Sequence, residues 1–234
     1  MASAEAQRKH RVGAISGRTP IFTPAADTWM RAALLGAGAL AVFLLFWWWV
    51  WPRTDWMRRV DFVVPQPVPF SHAHHVAGLG ISCLMCHNTV RTGAMAGLPP
   101  THTCMTCHSQ IWTNAALLAP VRESYASGTP IAWNRVYDLP SYVYFDHSIH
   151  IAKGVGCESC HGQVDRMPLT QKAVSLTMGF CLDCHRNPGP NLRPESAIFD
   201  TDWKRTPDTP SPAALLAQYR IGKRDILDCS TCHR

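Results

Sequence analysis

The chain has 234 residues, enough for one ordinary domain or two. Its 22 Lys and Arg against 16 Asp and Glu leave a formal charge of +6, too weak a balance to mark a nucleic-acid partner. Eighteen prolines and fifteen glycines interrupt any long periodic run, which predicts a mostly irregular backbone with short helices.

Residues 1–28 are polar, carry no periodic apolar face, and read as a flexible cytoplasmic tail. From Ala32 to Trp51 the chain then runs twenty residues without a charge. That is the length of one membrane-spanning helix, and residues 29–52 are assigned to a signal anchor. A cleaved signal peptide is the rival reading. Against it, the apolar run exceeds the roughly 7–15 residues of such a leader, and Trp47, Trp48, Trp49 and Trp51 stand where small residues would be needed. Arg8, Lys9, Arg11, Arg18 and Arg31 precede the span and only Arg53, Arg58 and Arg59 closely follow it, which orients the N-terminus toward the cytoplasm.

Beyond the span, Cys-x-x-Cys-His occurs five times and uses all ten cysteines: Cys83, Cys86 and His87; Cys104, Cys107 and His108; Cys157, Cys160 and His161; Cys181, Cys184 and His185; Cys229, Cys232 and His233. This is the attachment spacing of c-type haem, two thiols for the vinyl groups and an adjacent imidazole for the iron. One helical turn puts the three side chains on one side. Zinc sites use Cys-x-x-Cys in pairs and do not require His after each second cysteine. Structural disulfides do not favour this spacing, and thioredoxin-like chemistry needs a βαβ context that is missing here. Five covalent haems c are therefore expected, with their propionates as partners for arginines. Such haem is attached outside the bacterial cytoplasm, so residues 53–234 are expected to be a periplasmic haem domain on a single-pass protein of the cytoplasmic membrane. The fold class is a multihaem cytochrome c, mostly irregular, its short α-helices packed around five haems behind one N-terminal transmembrane helix.

The haem domain contains a repeat. Phe70-Ser-His72-Ala-His74-His75 leads into Cys83, and Phe145-Asp-His147-Ser-Ile-His150 leads into Cys157; each has the form Phe-x-His-x-x-His, then glycines, then a haem motif. A second motif follows each, giving two-haem modules over 70–108 and 145–185 and a fifth haem at the C-terminus. Between the modules, Asn114 to Tyr125 is predicted to be a helix with Leu117, Leu118, Val121 and Tyr125 inward, and 131–145 to be extended or turn structure. After a proline-rich arm over 187–215, residues 211–220 read as a helix capped by Ser211 with Pro212 at its first position.

Proximal iron ligands are His87, His108, His161, His185 and His233. For the distal side, His72, His75, His147 and His150 recur in one register, and the i, i+3 spacing lets each pair diverge to two neighbouring haems. His72 and His147 are expected to serve the motif that follows them, and His75 and His150 to reach another. The fifth distal ligand stays open among Met178, Met95, His102 and His74. Methionine ligation would give that haem a higher potential than bis-histidine neighbours.

With these motifs in place, the sequence resembles the pentahaem cytochrome c subunit of alternative complex III, a quinol-oxidising respiratory complex. The resemblance is carried by Phe-Ser-His-x-x-His at 70–75, Ala-Gly-Leu-Pro-Pro at 96–100, Thr-Cys-Met-Thr-Cys-His at 103–108, Trp-x-Arg-Val-x-x-Leu-Pro at 133–140 and Leu-Thr-Met-Gly-Phe-Cys-Leu-Asp-Cys-His-Arg-Asn-Pro at 176–188. His74 and a gap before Cys83 one residue longer than that before Cys157 depart from a strict repeat. The resemblance implies a membrane complex with an iron–sulfur subunit, polytopic quinol-binding subunits and a monohaem cytochrome c. This chain would then be no enzyme but a relay, from the iron–sulfur and quinol-oxidising part to a cytochrome c or terminal oxidase. A self-sufficient, membrane-anchored quinol dehydrogenase is the alternative. A substrate reductase has no support, since no Cys-x-x-Cys-Lys variant occurs.

Overall fold

A computed structural model describes residues 23–222 and 225–233. The chain divides into two units, Met1–Thr54 and Asp55–Arg234.

In the first unit a single helix, α1, spans Pro24–Val50. Thr23 caps it, accepting from the Ala26 N–H at 3.2 Å, and Pro24 opens the first turn, where its missing N–H costs nothing. Asp27 in that turn pairs with Arg31 at 2.9 Å. At 1.5 Å per residue the 27 residues extend about 40 Å, more than the roughly 30 Å of bilayer hydrocarbon. None of them is buried, and the stretch Pro24–Arg53 has a mean hydropathy of 2.0, long and apolar enough to cross a membrane. Trp47 stacks on Trp51 at 4.7 Å, and the Arg53 guanidinium sits 3.7 Å over the Trp49 ring. The expected tail falls almost wholly on residues 1–22, outside the described residues; the helix itself begins at Pro24, inside the stretch read as tail.

The second unit is helical, and among the described residues it holds no strand, only isolated bridges such as Val60 with Lys172 and Val143 with His233. Its helices are α2 (Cys83–Cys86), α3 (Thr101–His108), α4 (Ala119–Ser127), α5 (His147–Ala152), α6 (Glu158–His161), α7 (Met178–Arg186), α8 (Pro212–Gln218) and α9 (Cys229–Cys232). Among the described residues, the buried hydrophobic side chains are Val68, Val90, Val121, Ile151, Leu192, Ala197, Ile198 and Leu215. Large apolar side chains beside the motifs stay in solvent, among them Leu98, Ile111, Trp112 and Met178. A unit of this size normally encloses a continuous apolar core. Here the buried apolar cluster is small: Val90, Ile151 and Ile198, with Leu84, Ala96 and Phe199 packed against them.

The C-terminal arm closes on the second module. Leu192, Ile198 and Leu215 are fully buried, and Ser211 caps α8 by accepting from Ala214 N–H at 3.2 Å. The Arg193 N–H donates to the Gly154 carbonyl at 2.9 Å, and the Tyr219 hydroxyl donates to the Arg193 carbonyl at 2.8 Å. Gly154 has φ +78, and a Cβ there would lie 2.3 Å from the Tyr219 ring, so the approach requires glycine. Beneath it, the buried Arg193 guanidinium pairs with Glu158.

One expectation fails. The stretch from Asn114 to Tyr125 is not one helix but a 3-10 turn over Ala116–Leu118 followed by α4. Pro120 in the first turn of α4 cannot donate to the preceding turn and divides the two. Val121 is buried, but Leu117 and Tyr125 are 57% and 55% exposed, and the second inward position is taken by Ser124, which meets the Thr101 hydroxyl at 2.6 Å.

Candidate haem-binding sites

All five Cys-x-x-Cys-His motifs lie on helical turns, and none of the ten cysteines is in a disulfide. In α3, α6 and α7 the motif histidine is within the helix; in α2 and α9 it is the C-cap.

The two Phe-x-His-x-x-His segments fold alike. The residue after Phe is a cap each time: Ser71 Oγ accepts from His74 N–H at 3.1 Å, and Asp146 Oδ1 from Ser148 N–H at 2.8 Å. The carbonyl of the same residue then takes the Nδ1 of the second histidine, Ser71 with His75 at 2.9 Å and Asp146 with His150 at 2.7 Å. Phenylalanine orients both rings. Phe70 stacks on His75 at 4.4 Å and meets His72 edge-on at 4.9 Å; Phe145 does the same with His150 at 4.5 Å and His147 at 4.8 Å.

The longer gap in the first module is absorbed locally. There the backbone is a π-helix over Ala73–Gly78, whereas the second module has the ordinary α5. The Ile81 N–H reaches back six residues to the His75 carbonyl and the Val155 N–H only five to that of His150, both at 3.1 Å. From the left-handed glycines, Gly80 and Gly154, three residues lead to the first motif cysteine in each case. A π turn is the means by which a helix accepts one extra residue without losing its register.

The lead-in turns also hold each other across the unit. Ala73 N–H donates to the Met167 carbonyl at 3.0 Å, six residues past His161, and Ser148 N–H to the Gly93 carbonyl at 3.2 Å, six residues past His87. The same loops bind the first histidines: His147 Nδ1 lies 2.7 Å from the Ala94 carbonyl and His72 Nδ1 3.1 Å from the Thr170 hydroxyl.

Three lead-in histidines face motif histidines at one spacing. Ring centroids are 6.3 Å apart for His75 and His108, 6.3 Å for His147 and His161, and 6.2 Å for His150 and His185. Two imidazoles on opposite sides of one metal at about 2.0–2.1 Å per bond have centroids about 6.3 Å apart. His72 is the electrostatic neighbour of His87: burial, then His87 and His75, push His72 down to about 4. Burial, then His147, His87 and His72, push His161 down to about 4 as well. Both rings are thereby held neutral, the form that binds metal.

The motif imidazoles are tied through the other nitrogen. Nδ1 of His87 lies 2.7 Å from the Gly97 carbonyl, that of His185 2.7 Å from Ile226, that of His233 3.2 Å from Tyr142 and that of His108 3.3 Å from Ile111. A carbonyl only accepts, so Nδ1 carries the proton and Nε2 presents its lone pair. His161 is placed differently, by the Tyr137 ring at 4.6 Å. The Tyr137 hydroxyl donates to the Cys160 carbonyl at 3.2 Å and accepts from Ala173 N–H at 2.8 Å. Neither Tyr137 nor Thr170 was singled out from sequence; Tyr137 stands at an unspecified position of the Trp-x-Arg-Val-x-x-Leu-Pro stretch.

The cysteines define which motifs adjoin. Burial and then Cys86 push the Cys104 thiol up. Burial and then Cys83 push Cys157 up to about 11. Burial, then Cys184 and Cys181, push Cys160 up to about 11, and burial and then Cys232 push Cys181 up. These electrostatic couplings link motif two with one, one with three, three with four, and four with five.

The four open ligand candidates are spread along this row. His74 stacks on Trp112 at 6.0 Å, and Trp112 packs 6.5 Å from His108. His102 is exposed on α3, the helix of motif two. Met95 is 67% exposed in the loop whose Ala94 carbonyl meets His147. Met178, 65% exposed, begins α7, the helix of motif four.

Residues 143–234 match the family model described as cytochrome c7 and related cytochrome c. The fold of this stretch is that of a multihaem cytochrome c. Such a fold implies covalently bound haem c, and the residues present fit it: paired imidazoles at metal-bridging spacing, Nδ1 atoms tied off, and free thiols on helical turns. Over 123 residues the chain is 35% identical to a protein of Nitratidesulfovibrio vulgaris strain Hildenborough named menaquinone reductase, multihaem cytochrome c subunit. The match covers 52% of this chain and 55% of that protein, so the chain spans about half the length of its relative.

Proposed function

We propose that this chain is the electron-relay subunit of a quinol-linked membrane complex, with one haem c on each of its five motifs. The observation that carries the proposal is the facing of motif and lead-in histidines at 6.2–6.3 Å. Haem supplies a one-electron iron couple. The protein's residues would attach it through the motif cysteines and hold it between motif and lead-in histidines. Cys83, Cys86, Cys104, Cys107, Cys157, Cys160, Cys181, Cys184, Cys229 and Cys232 form the thioethers. His87, His108, His161, His185 and His233 would be the proximal ligands; His75, His147 and His150, which face His108, His161 and His185, would be distal ligands there, and His72, the electrostatic neighbour of His87, would serve the first motif. With distal imidazoles in place, small molecules are kept from those irons, which suits relay rather than substrate turnover.

For the fifth site we assign Met178. His74 and His102 belong to the motif-two end and Met95 to the loop beside His147, whereas Met178 sits on the helix whose Cys181 neighbours Cys232 of motif five. A methionine there raises the potential at one end of the row.

Alternative complex III suits this reading, given the motifs at 96–100, 133–140 and 176–188. The haem unit would lie on the periplasmic face, anchored by Pro24–Arg53. Its partners would be an iron–sulfur subunit, polytopic quinol-binding subunits and a monohaem cytochrome c, with electrons passing toward a cytochrome c or terminal oxidase. The relative named as a menaquinone reductase subunit supports a quinone-linked complex of this kind. The test is haem counting and quinol reduction on the purified chain. Five haems per chain, low-spin spectra and no reduction by quinol until other subunits are added are expected. Fast reduction by quinol alone would make the chain a dehydrogenase, and free thiols would end the proposal.

A further inference from the structure

Residues 55–63 form a compact knuckle at the start of the haem unit. Trp56 and Phe62 meet edge to face at 4.8 Å, yet they remain 63% and 36% exposed, with Met57 at 48% and Val63 at 46%. Apolar side chains gathered in solvent mark an interaction surface. The knuckle is built rather than loose. Val60 and Val63 bridge to Lys172 and Gln171, and Asp61 N–H donates to the Lys172 carbonyl at 2.7 Å. Arg59 and Asp61 are held at φ 55 and 62, a left-handed conformation that costs an ordinary residue roughly 1–2 kcal/mol.

The same surface carries cations among charges of both signs. Burial and then Arg58 push the Lys172 ammonium down, and Asp138 opposes them. Arg59 adds a third cation, and Asp55 and Asp61 lie in the same stretch. Exposed tryptophan and phenylalanine beside arginine and lysine is the composition of segments that lie in a bilayer interface and take anionic headgroups.

Connectivity chooses the occupant. Trp56 follows Arg53 by three residues, and a chain advances at most about 3.3–3.6 Å per residue, so its backbone lies within about 11 Å of the helix end. Each headgroup layer is itself roughly 5–8 Å thick. We propose that residues 55–63, with Gln171 and Lys172, seat the haem unit on the phospholipid headgroup layer, Trp56, Met57 and Phe62 entering the interface and Arg58, Arg59 and Lys172 taking anionic phosphates. This rests on Pro24–Arg53 spanning the membrane. It also brings motif three to the bilayer side of the unit, because Ala173, next to Lys172, is bonded to Tyr137, whose ring packs on His161.

The full-length, haem-loaded protein in nanodiscs of phosphatidylcholine and phosphatidylglycerol, carrying photoactivatable groups either in the headgroup or deep in the acyl chain, tests this by mass spectrometry of labelled peptides. The headgroup probe should label 55–63 and 171–172 at least about fivefold above the exposed turn at 206–208, and R58Q should lower labelling from the anionic lipid by about fivefold. Trp56→Ser with Phe62→Ser should abolish the difference while leaving the α1 labelling intact. Labelling of α1 by the acyl probe with none above background at 55–63 would overturn the proposal. So would a knuckle that is protected only when further protein subunits are added. Absence of acyl labelling in α1 would instead remove the membrane-spanning reading on which it stands.

Discussion

His147 and His161 face each other with ring centroids 6.3 Å apart and planes only 11° from parallel. Nδ1 of His147 is held by the Ala94 carbonyl, which leaves the lone pair on Nε2. His147→Ala should leave attachment at Cys157 and Cys160 intact and convert one haem to a high-spin site that binds carbon monoxide. Electron paramagnetic resonance and haem counting read this directly; a wholly low-spin spectrum would remove His147 as a ligand.

The Thr170 hydroxyl lies 3.1 Å from His72 Nδ1; with iron on Nε2 it would accept the Nδ1 proton and make the imidazole a stronger donor to oxidised iron. Thr170→Val removes about 0.5–1.5 kcal/mol of this preference, which corresponds to roughly 20–60 mV for one electron. One potential of the set should therefore rise by that amount in a redox titration, the others staying in place. An unchanged or lowered potential would contradict the role.

Met178→Leu should abolish the methionine–iron charge-transfer band and lower the highest potential in the titration. If the band persists, Met95 is the methionine to replace next. If wild-type protein lacks the band, methionine ligation at motif five is wrong.

The Arg193 and Glu158 side chains are only 6% and 16% exposed, so removing one strands a charge in low dielectric. Arg193→Met should destabilise the protein by about 3–5 kcal/mol, or roughly 6–20 °C in Tm, with haem content unchanged at low temperature. Calorimetry checks it, and a shift within experimental scatter would mean the pair is hydrated.

Acid sensitivity follows from His72 and His161, both held at about 4 against an ordinary value of 6.5. The folded value is the lower one, so the unfolded chain takes the proton first and falling pH favours it. The stabilisation is complete above about 6.5 and drains as pH drops toward 4. Iron bound at Nε2 would favour the same neutral ring and move the loss lower still. Low-spin absorbance should therefore survive a titration through 6.5; its loss there would exclude these two rings as ligands.

Much of the site was legible because its signals are local. Cys-x-x-Cys-His and Phe-x-His-x-x-His are spacings within one or two helical turns, and their repetition separates them from chance. The partners were not legible, since Thr170 lies 98 residues from His72 and Tyr137 packs on a histidine 24 positions away. Leu117 and Tyr125 depart from the inward prediction for a smaller reason: Pro120 breaks the helix that would turn both inward. The order of the motifs in space depends on how loops cross, and no spacing encodes that.

The reciprocal straps, Ala73 to Met167 and Ser148 to Gly93, bear on how the protein is made. In a chain made from its N-terminus, the first motif is complete long before the loop that steadies His72. If haem is joined to Cys83 and Cys86 at that stage, the proposed distal ligand His72 would gain its support only when the second half arrives. Truncation after the first module should therefore yield a coloured but incompletely ligated product rather than a smaller working relay.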